Sequence, residues 1–204
     1  MSSMIGKKRS ALNERVQDFA GNDCCFPLLR RMMRHHRHTY EHSLRVAGLA
    51  LKLCEAMDYA AAERDVVLRS SLLHDIGKLS VPIGLLDKSE ALSQTEWDII
   101  KDHCRNGDTL LRAWGMAGLV DCDMVLYHHE NVDGSGYGGV RESKLSKSVK
   151  LLRVVDSYDA MTVNRSYNRA RTHEEALDEL YRCSGRCYDR NVVDTFYRVM
   201  SECC

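Results

Sequence analysis

Apolar side chains return every three or four positions through most of this 204-residue chain, and no stretch longer than a few residues alternates apolar with polar. That period belongs to helices and argues against a sheet as the organising element. From Thr39 to about Met57, His42, Val46, Leu49 and Leu53 share one face, and over 61–77 Val67, Ser71, His74 and Lys78 do the same. Ser93 and Glu96 form a capping box that opens a helix with Ile99, His103, Gly107 and Leu110 on one side. A helix near 119–129 ends in His128-His129 and gives way to a loop, Glu130 to Gly139, with four glycines in six residues. Residues 146–163 return to helix, with Leu152, Asp156, Asp159, Ala160 and Val163 along one side. A second capping box, Thr172 to Glu175, starts a helix to about Cys183, and Asp189 caps a last one with Val192, Val193, Phe196 and Met200 inward. The only two prolines are Pro27 and Pro82, and the latter opens a short apolar turn, Ile83 to Leu86. The predicted fold is all-α: a helical bundle with a glycine-rich loop at its site.

Histidines and aspartates recur on the inward faces of those helices. His74-Asp75 stands at the end of an apolar helix, followed by Gly77, which frees the backbone to turn, and Lys78, which brings a cation. His42 precedes the pair, and His103, His128, His129 and Asp156 follow it. One inward histidine is more often a core residue with a satisfied hydrogen bond than a ligand, and Asp156 fits equally a carboxylate that orients a ligand histidine. Six or seven such residues at positions that can converge point jointly to a metal site.

Imidazole mixed with carboxylate suits iron, manganese or zinc better than magnesium. A two-metal site, with ions roughly 3.5–4 Å apart, needs a bridging carboxylate, and Asp75 is the natural bridge. His42, His74 and Asp156 complete one ion in this reading, and His103, His128 and His129 the other. A hydroxide held by the metals then attacks phosphorus in line, while Lys78 counters charge on the phosphoryl oxygens. Asp75 and Lys78 are thus the candidate catalytic residues.

Composition narrows the surroundings. With 29 basic and 29 acidic residues the formal net charge is +0, which argues against holding long nucleic acids mainly by charge. No run of about 18 apolar residues exists to span a membrane, and the N-terminus lacks the apolar core of a secretory signal. The expected location is the cytoplasm. Nine scattered cysteines without a Cys-x-x-Cys pair are read as reduced thiols, Cys54 as core and Cys203-Cys204 as a frayed end rather than a lipidation signal. Residues 24–37 are dense in arginine (Arg30, Arg31, Arg34, Arg37), read as a solvated face in preference to an anion-binding patch. The expected organisation is a helical, basic extension over 1–37 and one domain over 38–204.

Several ordered segments carry a resemblance to a known family. They are His42-Ser-Leu-Arg45-Val46, Leu73-His74-Asp75-Ile76-Gly77-Lys78-Leu79, Lys101-Asp-His103 and His128-His129-Glu130-Asn-Val-Asp133-Gly134-Ser-Gly136-Tyr137. Asp156-Ser-Tyr-Asp159-Ala160-Met-Thr162 and Arg165-Ser-Tyr167 complete the set. Over roughly residues 38–200 the chain resembles the HD-GYP subgroup of the HD metal-dependent phosphohydrolases, bacterial enzymes that cleave cyclic dinucleotides. The resemblance implies an HD/PDEase-like fold, two divalent transition metals (iron or manganese first, with zinc, nickel or magnesium as alternatives) and hydrolysis of cyclic di-GMP to pGpG or GMP. It implies that Lys78 meets a substrate phosphate, that Asp159 and Arg165 hold a guanine, and that Tyr137 and Asn168 also face the substrate.

Three departures stand out. Gly138 occupies the position where the family has proline, which predicts a looser loop. Ser166 replaces the proline of the family's Arg-Pro-Tyr, and Asn168 the basic residue after it. Some members carry a glutamate four residues before the first histidine that supports a third metal; here that position is His38, a candidate ligand or orienting residue, and two metals rather than three are expected. An active phosphodiesterase is the leading expectation. The alternatives are a metal-binding receptor or interaction module, and a phosphodiesterase for another cyclic dinucleotide. Because only a short extension precedes the matched region, regulatory input is expected from a protein partner, through the Gly-Tyr-Gly loop or the N-terminal helices.

Overall fold

The computed structural model describes residues 14, 16–163 and 169–201. Arg165, Ser166, Tyr167, Asn168 and the terminal Cys203-Cys204 lie outside that set. The described helices of defined extent are α1 (Phe26–His35), α2 (Arg37–Ala56), α3 (Ala61–Leu73), α4 (Ile83–Leu86), α5 (Gln94–Lys101) and α6 (His103–Ala113). After them come α7 (Cys122–Tyr127), α8 (Lys147–Thr162), α9 (His173–Arg182) and α10 (Arg190–Ser201), with short 3-10 turns at Ile76–Ser80 and Glu142–Lys144. No strand occurs among the described residues, in agreement with the predicted all-α class.

Local chemistry places most of the boundaries. Ser93 accepts from the Glu96 N–H while Glu96 reaches back to the Ser93 N–H, and Thr172 with Glu175 repeats the arrangement at α9. Ser146 caps α8 through the Val149 N–H, and Asp189 caps α10 through the Val192 N–H. Each such cap satisfies backbone donors that a helix start leaves open, for about 1 kcal/mol. The single predicted helix from Ser93 through Leu110 is in fact two, α5 and α6, broken at Asp102. The break makes His103 the first residue of a new helix.

α2 runs through the centre. Its Val46, Ala50 and Leu53 pack with Leu151, Leu152 and Val155 of α8, Leu177 and Leu180 of α9, and Phe196 of α10. Its Ala47 belongs to a second cluster with Leu68 and Leu72 of α3, Leu111 of α6 and Val125 of α7. Leu28, Leu29 and Met32 of α1 are buried in that same cluster, while Arg30, Arg31, Arg34 and Arg37 point outward. Each buried leucine contributes about 1.5–3 kcal/mol, so the arginine-dense segment anchors to the core by its apolar stripe. Among the described residues no helix is long and apolar enough to cross a membrane.

The turn after α3 leaves the least room at any described glycine. A Cβ at Gly77 would stand 1.8 Å from the His103 carbonyl oxygen and 2.6 Å from the Gly107 nitrogen. The sequence suggested that Gly77 frees the chain to leave a helix. Its tighter constraint is the space it leaves for α6, which carries His103.

Candidate metal centre

Helix ends aim the histidines. His74, His103 and His128 each fold the ring back so that Nδ1 meets the carbonyl three residues earlier, at Ser71, Ile100 and Val125 respectively. A carbonyl only accepts, so each Nδ1 carries the hydrogen and each neutral ring presents a bare lone pair at Nε2. The His103 and His128 Nε2 atoms stand 3.2 Å apart. His74 Nε2 is fully buried and has no hydrogen-bond partner. Two lone pairs face to face and a third left over are costly without a cation, so the residues present fit divalent metal.

The carboxylates join the set into one centre. Asp75 Oδ2 lies 3.5 Å from His74 Nε2 and 3.8 Å from His42 Nε2, while its Oδ1 lies 3.3 Å from His103 Nε2 and 3.9 Å from His128 Nε2. One oxygen therefore faces each half, the position expected of a bridge. Asp156 straddles the halves as well: Oδ1 is 3.0 Å from His42 Nε2 and Oδ2 is 3.9 Å from His129 Nδ1. The sequence reading assigned it to one half only.

Protonation follows from this crowding. Burial alone would lower His42, but hydrogen bonds to Asp156 and Asp159 overcome it and lift its pKa to about 9. Burial pushes His129 down to about 3, and burial with the neighbouring histidines holds His128 well below the usual imidazole value. Burial opposes ionisation of Asp75 too, yet the charges of Lys78 and His74 hold it well below the usual carboxylate range. Asp75 is thus held ionised and His128 and His129 neutral, the protonation states that metal ligands require, whereas His42 gives up its Nε2 proton only when a metal takes that position.

Lys78 Nζ sits 2.6 Å from Asp75 Oδ2 and lines a cavity of about 820 Å³ together with His42, Asp75, His103, His129 and Tyr137. Tyr137 rests against His129, ring centroids 4.5 Å apart, and meets Trp97 edge-on at 5.9 Å. His38 is exposed at the rim of the cavity and belongs to neither group of metal-capable donors. Asp159, expected at a guanine, is instead almost fully buried behind His42. Its Oδ2 stands 2.7 Å from His42 Nδ1, and the Arg45 guanidinium takes both oxygens at 2.8 and 3.0 Å. Arg165 and Asn168 lie outside the described residues.

Sequence reasoning missed three participants. Arg45, one helical turn after His42, locks Asp159. Glu130, directly after His129, is buried and accepts the backbone N–H groups of Gly138 and Val140. Gly138 therefore replaces proline with a residue that has a donor and uses it, so the predicted looseness of the loop is met by a tether. Cys104, directly after His103, joins His103, His128 and His129 in a group whose ligand atoms lie within 4.8 Å of one another. Adjacency to a ligand histidine was the available signal for both Glu130 and Cys104.

Histidines and aspartates brought by several helices around a shared carboxylate are the mark of an HD-type metal site. The chain belongs to the HD domain family, whose model matches residues 27–192, and within it to the HD-GYP group. It is 31% identical, over 97% of its length and 56% of the relative's, to a cyclic di-GMP phosphodiesterase of Thermotoga maritima. It is likewise 31% identical to 3'3'-cGAMP-specific phosphodiesterase 2 of Vibrio cholerae, over 78% of this chain and 31% of that protein. The chain thus spans about half, or less, of the length of these relatives. Its fold matches an HDG"Y"P protein from Bdellovibrio bacteriovorus with a TM-score of 0.66 at 16% identity, covering 98% of this chain and 65% of that one.

Proposed function

We propose that this domain hydrolyses the 3'-5' phosphodiester of a cyclic dinucleotide, cyclic di-GMP first, to pGpG or GMP in the cytoplasm. The observation that carries the reading is the convergence of His42, His74, Asp75, His103, His128, His129 and Asp156, of which His42, Asp75, His103 and His129 line a cavity large enough for a nucleotide-sized ligand. Those seven residues would hold two divalent ions, iron or manganese in first place. Bound there, the ions would supply Lewis acidity and lower the pKa of a water toward neutrality.

The protein's own groups have separate tasks in this reading. Lys78 offers its ammonium to a phosphoryl oxygen from its position beside Asp75, where charge grows in the transition state. The Trp97–Tyr137 pair offers an aromatic surface for a base. Asp159 and Arg45 act through His42 by fixing its orientation and the proton on Nδ1. The Vibrio cholerae relative favours a second substrate of the same class, 3'3'-cGAMP. Among the described residues nothing points to a protein partner, and the tether on Gly138 removes one argument for a receptor without turnover.

The test is anaerobic loading with iron(II) or manganese(II), with cyclic di-GMP and 3'3'-cGAMP each followed by chromatography. Metal-dependent linear dinucleotide or mononucleotide that disappears in both His74→Ala and Asp75→Ala is the expected result. Metal and nucleotide both bound without product would replace the enzyme reading with that of a receptor.

A further inference from the structure

Two of the ligand candidates reach the centre from different parts of the chain, Asp156 from α8 and His129 from the segment just past α7. Asp156 Oδ2 and His129 Nδ1 stand 3.9 Å apart. Metal–nitrogen and metal–oxygen bonds fall at about 2.0–2.2 Å, so an ion shared by these two needs their spacing held to within about 0.5 Å. That spacing is set by how α8 is tied to the chain after His129. We propose that Arg153 makes the tie: it is a positioning residue that joins α8 to Asn131 and so fixes Asp156 against His129.

The guanidinium spans the two ligand-bearing segments close to the ligands themselves. Its Nε and Nη2 both donate to Asn131 Oδ1, at 3.3 and 2.9 Å, and its Nη1 donates to Ser157 Oγ at 2.9 Å. Asn131 is the second residue after His129, and Ser157 is the first after Asp156. Arg153, Asp156 and Ser157 are three and four residues apart, so they share one face of α8. The Tyr188 ring packs against the guanidinium, its centroid 5.3 Å from the guanidinium carbon. Asn131 extends the tie into the glycine-rich loop, donating from Nδ2 to Ser135 Oγ at 2.9 Å.

The partners are unusual for an arginine. Among the described residues no carboxylate pairs with Arg153, and its hydrogen bonds all go to neutral oxygens although the side chain is partly buried. A charge withdrawn from water without a counter-charge is costly, so surface solvation does not account for this residue. The loop's other ties do not involve α8. Val132 and Asp133 give their N–H groups to the Cys187 and Arg186 carbonyls, and Gly138 and Val140 give theirs to Glu130. Two donors on one acceptor and a third on another require the planar fork of a guanidinium, which a lysine ammonium does not offer.

The inference rests on the metal-centre reading but not on the substrate, and metal binding alone tests it. Metal-free full-length protein is titrated calorimetrically with manganese(II) as wild type, Arg153→Gln, Arg153→Lys, Asn131→Ala and the Arg153→Gln/Asn131→Ala double variant. Urea unfolding of each reports stability, and Asp189→Asn, which weakens the start of α10, is the control for a purely structural loss. Manganese affinity should fall about tenfold or more in Arg153→Gln and in Asn131→Ala. The double variant should be no weaker than the weaker single one, because both remove the same contact. Arg153→Lys should not restore affinity, and Asp189→Asn should leave it at the wild-type value. Asn131→Ala keeps the test decisive should Arg153→Gln fail to fold. Wild-type affinity in Asn131→Ala, additive losses in the double variant, rescue by lysine or an equal loss in Asp189→Asn would each overturn the positioning role while leaving the metal centre standing. A wild type that binds no manganese would overturn both.

Discussion

Glu130 holds the glycine-rich loop by the backbone N–H of Gly138, and its other oxygen takes the Val140 N–H at 2.9 Å. Proline, which the HD-GYP pattern places at this position, has no such hydrogen to give. The departure in this chain is therefore matched by a hydrogen bond to a buried carboxylate directly after His129 in sequence. A Gly138→Pro substitution should cost about 1–3 kcal/mol, because a buried acceptor on Glu130 loses its partner. Urea unfolding of the two proteins measures it; equal midpoints would mean that the tether contributes nothing.

Gly77→Ala should be the most damaging single methyl in the centre. Its Cβ would fall 1.8 Å from the His103 carbonyl oxygen, so α6 has to move and His103 with it. Overpacking of this kind costs about 1–3 kcal/mol or more. The expected variant unfolds earlier on heating and binds cobalt(II) with a changed visible spectrum. A variant that matches the wild type in both would show that α6 can shift without disturbing the centre.

Asp159 should act as a positioning residue. It takes the His42 Nδ1 proton at 2.7 Å, and its own orientation is held by Arg45. Asp159→Ala is expected to weaken metal binding about 10- to 100-fold, with Arg45→Ala showing the same direction and a smaller effect. Isothermal titration with manganese(II) compares them. Unchanged metal affinity joined to weaker nucleotide binding would return Asp159 to the guanine-contact role that the family resemblance implied.

Asp189 gives the fold a pH-dependent increment through Lys150 and the start of α10. Burial would raise its pKa, but the Lys150 ammonium at 2.6 Å and the Val192 N–H overcome that and lower it below the ordinary value. A carboxyl depressed in the folded state stabilises above its unfolded pKa of about 3.9 and loses that contribution as pH falls through the folded value. Asp189→Asn should therefore cost about 1 kcal/mol at neutral pH. The gap to wild type should close as the pH drops below about 4. Urea midpoints at neutral pH and near pH 3 test this, and a gap that stays constant would place the effect elsewhere.

What was legible in the sequence is local. Ser93 with Glu96, Thr172 with Glu175, and Asp189 announced their helix starts because a cap is satisfied within three or four residues of chain. The ligand candidates were legible too, because each lies on the inward face of a helix or at its end, where spacing alone determines direction. The roles of those side chains depended on partners far along the chain. Asp159 orients His42 across 117 positions, and Cys104 meets His128 across 24. No periodicity encodes such distances. The break at Asp102, the absence of room for any side chain at Gly77 and the tether from Glu130 to Gly138 likewise arise only once helices pack. Helix formation is decided by neighbours within a turn, whereas the second contact of each site residue is decided by which helices are pressed together to bury the two apolar clusters.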